Sequence, residues 1–280
     1  MKIIDSHIHF WNTDRFHYHW MKPGESIERP FEATEYAEAR AGIDVEGVVF
    51  IQADCAPEDA LPEARWVATI GAPILGIIGR APLELGASRA RDTLDALKEM
   101  PLTVGVRRLI QWEPAGFCVQ PKFVEAVQSL QQYDLPFDIC IFYHQFGDAL
   151  KLVESCPNIR FVLDHFGKPD IAQGEMRNWS QGISALARHE NVWCKLSGLV
   201  TEADHQHWTP DQLRPYVDHA LEVSGARRMM FGSDWPVATV AASYKRWYDT
   251  ARQFVSHLSE DEQTQIFAEN AARFYRLKRA

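Results

Sequence analysis

The chain has 280 residues, 46% hydrophobic and 24% charged, with 29 Lys+Arg against 38 Asp+Glu and 11 His. That composition excludes a disordered or fibrous chain, and a net charge of −9 offers no footprint for nucleic acid or an anionic membrane surface. The longest apolar runs, residues 45–51 and 72–78, fall short of the roughly 20 residues a membrane span needs, and Asp5, His7 and His9 stand where a signal peptide would be apolar. The five cysteines (Cys55, Cys118, Cys140, Cys156, Cys194) are scattered and never in CxxC spacing, as expected of reduced thiols in a cytoplasmic protein.

In chain order, an apolar run over residues 2–9 comes first, followed by an unusually long connection, residues 11–32, which holds Trp11, His17, His19, Pro23 and Gly24. Strands are then expected over 46–52, 73–79, 103–109, 137–142, 159–165, 192–197 and 228–233, and several are near-continuous in Val, Ile, Leu and Phe. That is the pattern of parallel strands buried on both faces. Helical patterns fall between them, over 58–69, 87–100, 121–133, 147–155, 176–189, 210–224 and 240–258. Thr209 before Pro210 reads as an N-cap and first turn, and Ser259 followed by Glu262 reads as a capping box for a last helix over 263–275. Eight βα units imply one α/β domain, a parallel sheet closed into a (β/α)8 barrel, with residues 11–32 over the mouth where barrel active sites lie.

The sharpest chemical signal is Asp5-Ser6-His7-Ile8-His9 at the end of the first strand. Residues two apart on a strand share a face, so His7 and His9 project together into the barrel, able to bind one divalent cation or to polarise a carbonyl. Random placement of 11 His gives roughly 0.4 His-x-His pairs; three occur, and only this one lies on a strand. His165 ends the strand 159–165 and can converge on the same point, whereas the adjacent Asp164 is expected to point the other way. Asp234 follows the last strand directly, where a carboxylate can take a proton from water or complete a metal site; capping the following helix is the plainer role. Of Arg107 and Arg108, one faces inward and can clamp a carboxylate or an oxyanion, and the alternation does not settle which. Lys195 and, near other strand ends, Trp112, Tyr143 and His144 are candidates for substrate contacts. Phosphate-loop, dinucleotide, nucleophile-elbow and HExxH motifs are absent.

Five motifs in order, Asp5-Ser6-His7-Ile8-His9, Asp164-His165-Phe166-Gly167-Lys168-Pro169, Lys195-Leu196-Ser197-Gly198, Phe231-Gly232-Ser233-Asp234-Trp235-Pro236 and Asn270-Ala271-Ala272-Arg273-Phe274-Tyr275, together resemble the amidohydrolase superfamily, in particular its lactonase branch, amidohydrolase family 2. The resemblance implies a distorted (β/α)8 TIM barrel. It also implies a hydrolase that opens a sugar-acid lactone of the L-fuconolactone or L-rhamnonolactone kind, with His7, His9 and His165 polarising the carbonyl or ligating a metal and Asp234 activating water. A carboxylated lactone of the pyrone-dicarboxylate or sulfomuconolactone kind, or a metal-dependent decarboxylation, are the alternatives within the same superfamily. No bridging Lys or carboxylate for a binuclear centre is evident, so the expectation is one zinc-like divalent cation held by His7, His9, His165 and Asp234, or a metal-free site. A small-molecule lactone is the expected partner.

Overall fold

A computed structural model describes residues 1–279. Eight parallel strands, β1 (Ile3–Ile8), β2 (Val45–Ile51), β3 (Ile74–Gly79), β4 (Thr103–Arg107), β5 (Phe137–Ile139), β6 (Phe161–Leu163), β7 (Val192–Leu196) and β8 (Met229–Phe231), pair in sequence order. Between and after them run α1 (Ala33–Ala39), α2 (Ala60–Val67), α3 (Ala87–Glu99), α4 (Pro121–Ser129), α5 (Phe146–Ser155), α6 (Arg177–Ala187), α7 (Pro210–Ser224) and α8 (Tyr244–Phe254). The first helix, between the long connection and β2, is too short to have carried a periodic signal. The barrel closes just beyond β8: Asp234 N–H donates to His7 O at 2.8 Å, His9 N–H donates to Trp235 O at 2.7 Å, and Ser6 Oγ donates to Phe231 O at 2.6 Å.

Two apolar layers follow from the alternation of each strand. Outward residues such as Phe50, Ile77, Phe137, Phe161 and Phe231 pack under the helices, on Leu94, Phe123, Leu152, Leu213 and Trp247. Inward residues Ile4, Val49, Ile51, Ile78, Val162 and Met230 form a second cluster with Phe274 and Tyr275. These two aromatics belong to the last helical segment, α9 (Glu260–Thr264), a π-helical turn over Gln265–Glu269, and α10 (Asn270–Tyr275). The Ser259–Glu262 capping box starts it as read from the sequence. Because parallel strands leave the N-terminal end of a barrel open, a capping helix that buries its own aromatics there removes apolar side chains from water.

The connection 11–32 is pinned rather than loose. Trp11 and Phe31 bridge its two ends. Trp20 Nε1 donates to Ala53 O at 2.8 Å, His17 N–H to Asp59 Oδ2 at 3.0 Å, and Ala56 N–H to His17 O at 2.8 Å. Beneath it Glu63 of α2 is fully buried, accepting from Ala53 N–H at 3.3 Å; burial pushes its carboxyl up to about 7.

Candidate active site

Above the inward apolar layer the barrel interior turns polar. A bulge in β1, where three residues step past two of β2 between Asp5 and Ile8, re-aims the chain. Ile4 belongs to the inner cluster, so unbroken alternation would turn His7 outward; with the bulge, both His7 and His9 face in. Asp5 faces the other way and fixes this geometry, accepting from Ser233 N–H at 2.8 Å, His7 N–H at 3.2 Å and Tyr244 Oη at 3.1 Å. Gly232 lines the same space: a Cβ there would lie 2.5 Å from His7 Cβ and 3.2 Å from Ser197 Cβ.

Three imidazoles surround one carboxylate. His7, His9 and His165 place Nε2 at 3.7, 3.4 and 3.9 Å from Asp234 Oδ1, and His7 and His9 Nε2 lie 3.2 Å apart. His9 Nδ1 meets Ile51 O at 2.7 Å and His7 Nδ1 faces Asp164 Oδ1 at 3.3 Å. Each Nδ1–H therefore has an acceptor, which leaves two bare Nε2 lone pairs aimed at one point beside an anionic carboxylate. Burial holds all three rings neutral: His7 lies well below its ordinary range, His9 lies below it, and His165 is pushed down to about 4. For Asp234 burial acts upward, but His165, His9 and His7 outweigh it and keep the carboxyl below its usual range. Donor atoms at about 2.1 Å from a tetrahedral cation stand about 3.4 Å from one another, and the 3.2, 3.4 and 3.7 Å edges of His7, His9 and Asp234 match that spacing. His7, Asp164 and His165 also bring ligand atoms within 4.8 Å of one another. The donor set fits a divalent cation.

Asp234 reaches the histidines through a left-handed backbone (φ 57°). Its carboxylate does not cap the following turn; Ser233 Oγ accepts from Trp235 N–H at 3.0 Å instead. On the opposite wall His165 Nδ1 meets Ser197 Oγ at 2.8 Å, and Gly198 (φ +63°) has no side chain where a Cβ would sit 2.3 Å from that Nδ1.

The remaining candidates divide. Arg107 is the inward arginine, pairing with Asp164 Oδ2 at 3.0 Å, donating to Gln52 O at 2.6 Å and lying 3.5 Å from His7 Nε2. Arg108 is not at the site: its guanidinium pairs with Glu84 at 3.1 Å and Glu113 at 2.6 Å. Lys195 is not placed to touch a substrate either. It is fully buried beneath the histidines, where its ammonium is held by Asp138 Oδ2 at 2.5 Å and Asp164 Oδ1 at 3.0 Å and lies 3.3 Å from His7 Nδ1. Asp164 corrects the alternation argument: it points inward, because the strand ends at Leu163 and the left-handed φ of 52° at His165 turns that ring back to the same side. Burial opposes its ionisation, yet Lys195, His7 and Arg107 hold its carboxyl well below the ordinary range, while burial pushes Asp138 up to about 6 against the pull of Lys195. Trp112 is 71% exposed with its ring 4.8 Å from Phe142, and His144 stacks on Phe142 at 5.8 Å. Tyr143 and His144 line a groove between α5 and α6. Among the described residues no hydrogen bond or ion pair joins these three to the histidines. Asp5, Asp138 and Ser197 were missed as parts of the site; an acidic residue inside an otherwise apolar strand is the signal that would have found Asp138.

A parallel eight-stranded barrel whose strand ends carry His-x-His, His and Asp defines a hydrolase-type site, and the comparisons agree. The family model described as "Amidohydrolase" matches residues 4–277, and the chain belongs to the amidohydrolase family. It is 31% identical over 286 residues to an L-fucono-1,5-lactonase of Burkholderia ambifaria, covering 99% of this chain and 96% of that protein. It is 25% identical over 333 residues to an L-rhamnono-gamma-lactonase of Scheffersomyces stipitis, covering 99% of each. A crystal structure of an amidohydrolase from Burkholderia multivorans with bound zinc superposes with a TM-score of 0.90 at 29% identity, over 99% of this chain and 100% of that one.

Proposed function

We propose that this protein is a lactonase that hydrolyses the cyclic ester of a neutral sugar-acid lactone. The observation that carries this reading is the convergence of His7, His9 and His165 Nε2 on Asp234 Oδ1 at 3.7, 3.4 and 3.9 Å; the lactonases it resembles over nearly their full length supply the substrate class. His7 Nε2, His9 Nε2 and Asp234 Oδ1 would hold one divalent cation, zinc in the first instance, which when bound supplies Lewis-acid charge for the carbonyl oxygen.

The side chains account for the proton and charge movements. Asp234, anionic at neutral pH, accepts a proton from the attacking water, and the resulting acid returns it to the ring oxygen as the ester bond breaks. His165 Nδ1 lies 2.8 Å from Ser197 Oγ; with the hydroxyl as donor in this contact, the ring proton sits on Nε2, directed at the oxyanion that forms on the carbonyl. Arg107 and Lys195 hold Asp164, and Asp164 orients His7. The connection 11–32, with Trp11 buried and its ring 6.4 Å from that of His9, excludes water from the mouth.

A pH-indicator assay with L-fucono-1,5-lactone, L-rhamnono-gamma-lactone and 2-pyrone-4,6-dicarboxylate tests this reading. Turnover of at least one sugar lactone, abolished in Asp234→Asn with the thermal transition kept, is expected. Turnover of the dicarboxylate alone, or an active Asp234→Asn, refutes it.

A further inference from the structure

Four consecutive residues after β6 adopt left-handed backbone angles: His165 (φ 52°), Phe166 (φ 52°), Gly167 (φ 71°) and Lys168 (φ 49°). Three are not glycine, and the left-handed region strains such residues, so the turn persists only because its surroundings dictate it. Trp179 Nε1 donates to Phe166 O at 2.7 Å and Lys168 N–H donates to His165 O at 2.9 Å. That second bond closes a three-residue turn, in which residues three apart lie side by side. The strained turn therefore sets Lys168 next to His165, on the mouth side of the catalytic cluster.

Lys168 differs from the other cations of the interior. Arg107 and Lys195 have carboxylate partners at 3.0 and 2.5 Å, whereas the ion pair of Lys168 is long: Nζ stands 3.6 Å from Glu202 Oε1, which also accepts from Thr201 Oγ1 at 3.3 Å, and 5.6 Å from the centre of the Phe142 ring, with both charged side chains 16–17% exposed. An ammonium–carboxylate hydrogen bond closes to about 2.8 Å. Among the described residues Lys168 Nζ makes no hydrogen bond. A donor and an acceptor, three-quarters buried or more and held just apart, match what one hydroxyl offers, since its oxygen accepts from an ammonium while its hydrogen goes to a carboxylate.

We propose that Lys168 and Glu202 are the specificity-determining pair of this site, bridging a ring hydroxyl of the lactone and excluding lactones that present a carboxylate there, which Glu202 repels. The assignment rests on the lactonase reading and deepens it. The test compares kcat/KM for L-fucono-1,5-lactone and for δ-valerolactone, a lactone without hydroxyls, in wild type, Lys168→Met and Glu202→Gln. Loss of one charged hydrogen bond lowers kcat/KM by about 10- to 100-fold. That loss is expected on the hydroxylated lactone and exceeds the loss on δ-valerolactone by tenfold or more in each variant. Because both lactones are read on the same preparation, partial misfolding cancels in the ratio. Equal losses on the two lactones, or no loss on either, overturn the assignment while leaving the lactonase reading standing. A wild type that turns over no lactone overturns both.

Discussion

Replacing Gly198 by alanine tests whether His165 acts from the position the structure gives it. The added Cβ would stand 2.3 Å from His165 Nδ1, 2.6 Å from Cγ and 3.0 Å from Cε1, where an ordinary contact needs about 3.5 Å. The ring has to retreat by about 1 Å, which breaks its 2.8 Å bond to Ser197 Oγ and removes Nε2 from its place opposite Asp234. A displacement of that size at a reacting group costs about 100-fold in rate. Stability falls as well, by about 1–2 kcal/mol for alanine at φ +63° and about 1 kcal/mol for the lost hydrogen bond. Gly116 supplies the control. It has φ 82° and ψ −3° with nothing within 4 Å of its added Cβ, so Gly116→Ala carries the backbone cost alone and keeps wild-type activity. Urea unfolding and initial rates on a sugar lactone measure both quantities. If Gly198→Ala retains kcat/KM within about threefold of wild type while losing stability as expected, His165 is not a participant in the chemistry.

Lys195→Met leaves Asp138 and Asp164 buried without their shared cation and should cost about 3–5 kcal/mol in urea unfolding; adding Asp138→Asn should recover part of this, and a double variant no more stable than the single one refutes the pairing. The carboxyl of Glu63, raised from 4.5 to about 7 in the folded protein, contributes stability that is complete below pH 4.5 and lost as pH rises through 7. Glu63→Gln removes that loss and should gain about 2–3 kcal/mol more at pH 8 than at pH 5; equal effects at the two pH values contradict it. Calorimetric titration of metal-stripped protein with Zn²⁺ should show one site, abolished in His9→Ala, whose Nε2 supplies one edge of the donor set; unchanged binding places the cation elsewhere.

Much of this was legible in the sequence because burial on both faces leaves a plain mark. All eight strands were marked by apolar runs, and polar residues at their ends identified His7, His9, His165 and Asp234. What alternation could not carry was any departure from regular strand geometry. The bulge in β1 decides that His7 faces inward, and the left-handed turn decides that Asp164 and His165 share a side; neither is encoded in a period of two. Depth along the barrel axis was equally hidden. Lys195 and Lys168 both follow apolar runs, but one sits inside β7 and the other five residues past its strand, so one is locked under the histidines and the other stands at the mouth.

The seam that closes the barrel joins the two ends of the sequence: Asp5 to Ser233 and Tyr244, Ser6 to Phe231, His7 to Asp234, His9 to Trp235. During synthesis the strand bearing His7 and His9 can pair early with β2 along one edge, but its other edge waits for partners more than 220 residues further along the chain. Loop closure over such a span is slow relative to local helix formation, and an unpaired strand edge is a template for wrong pairings in the interval. No proteolytic or translational fragment that stops short of Trp235 can assemble the site. The candidate site is therefore complete only once the seam of the barrel has closed.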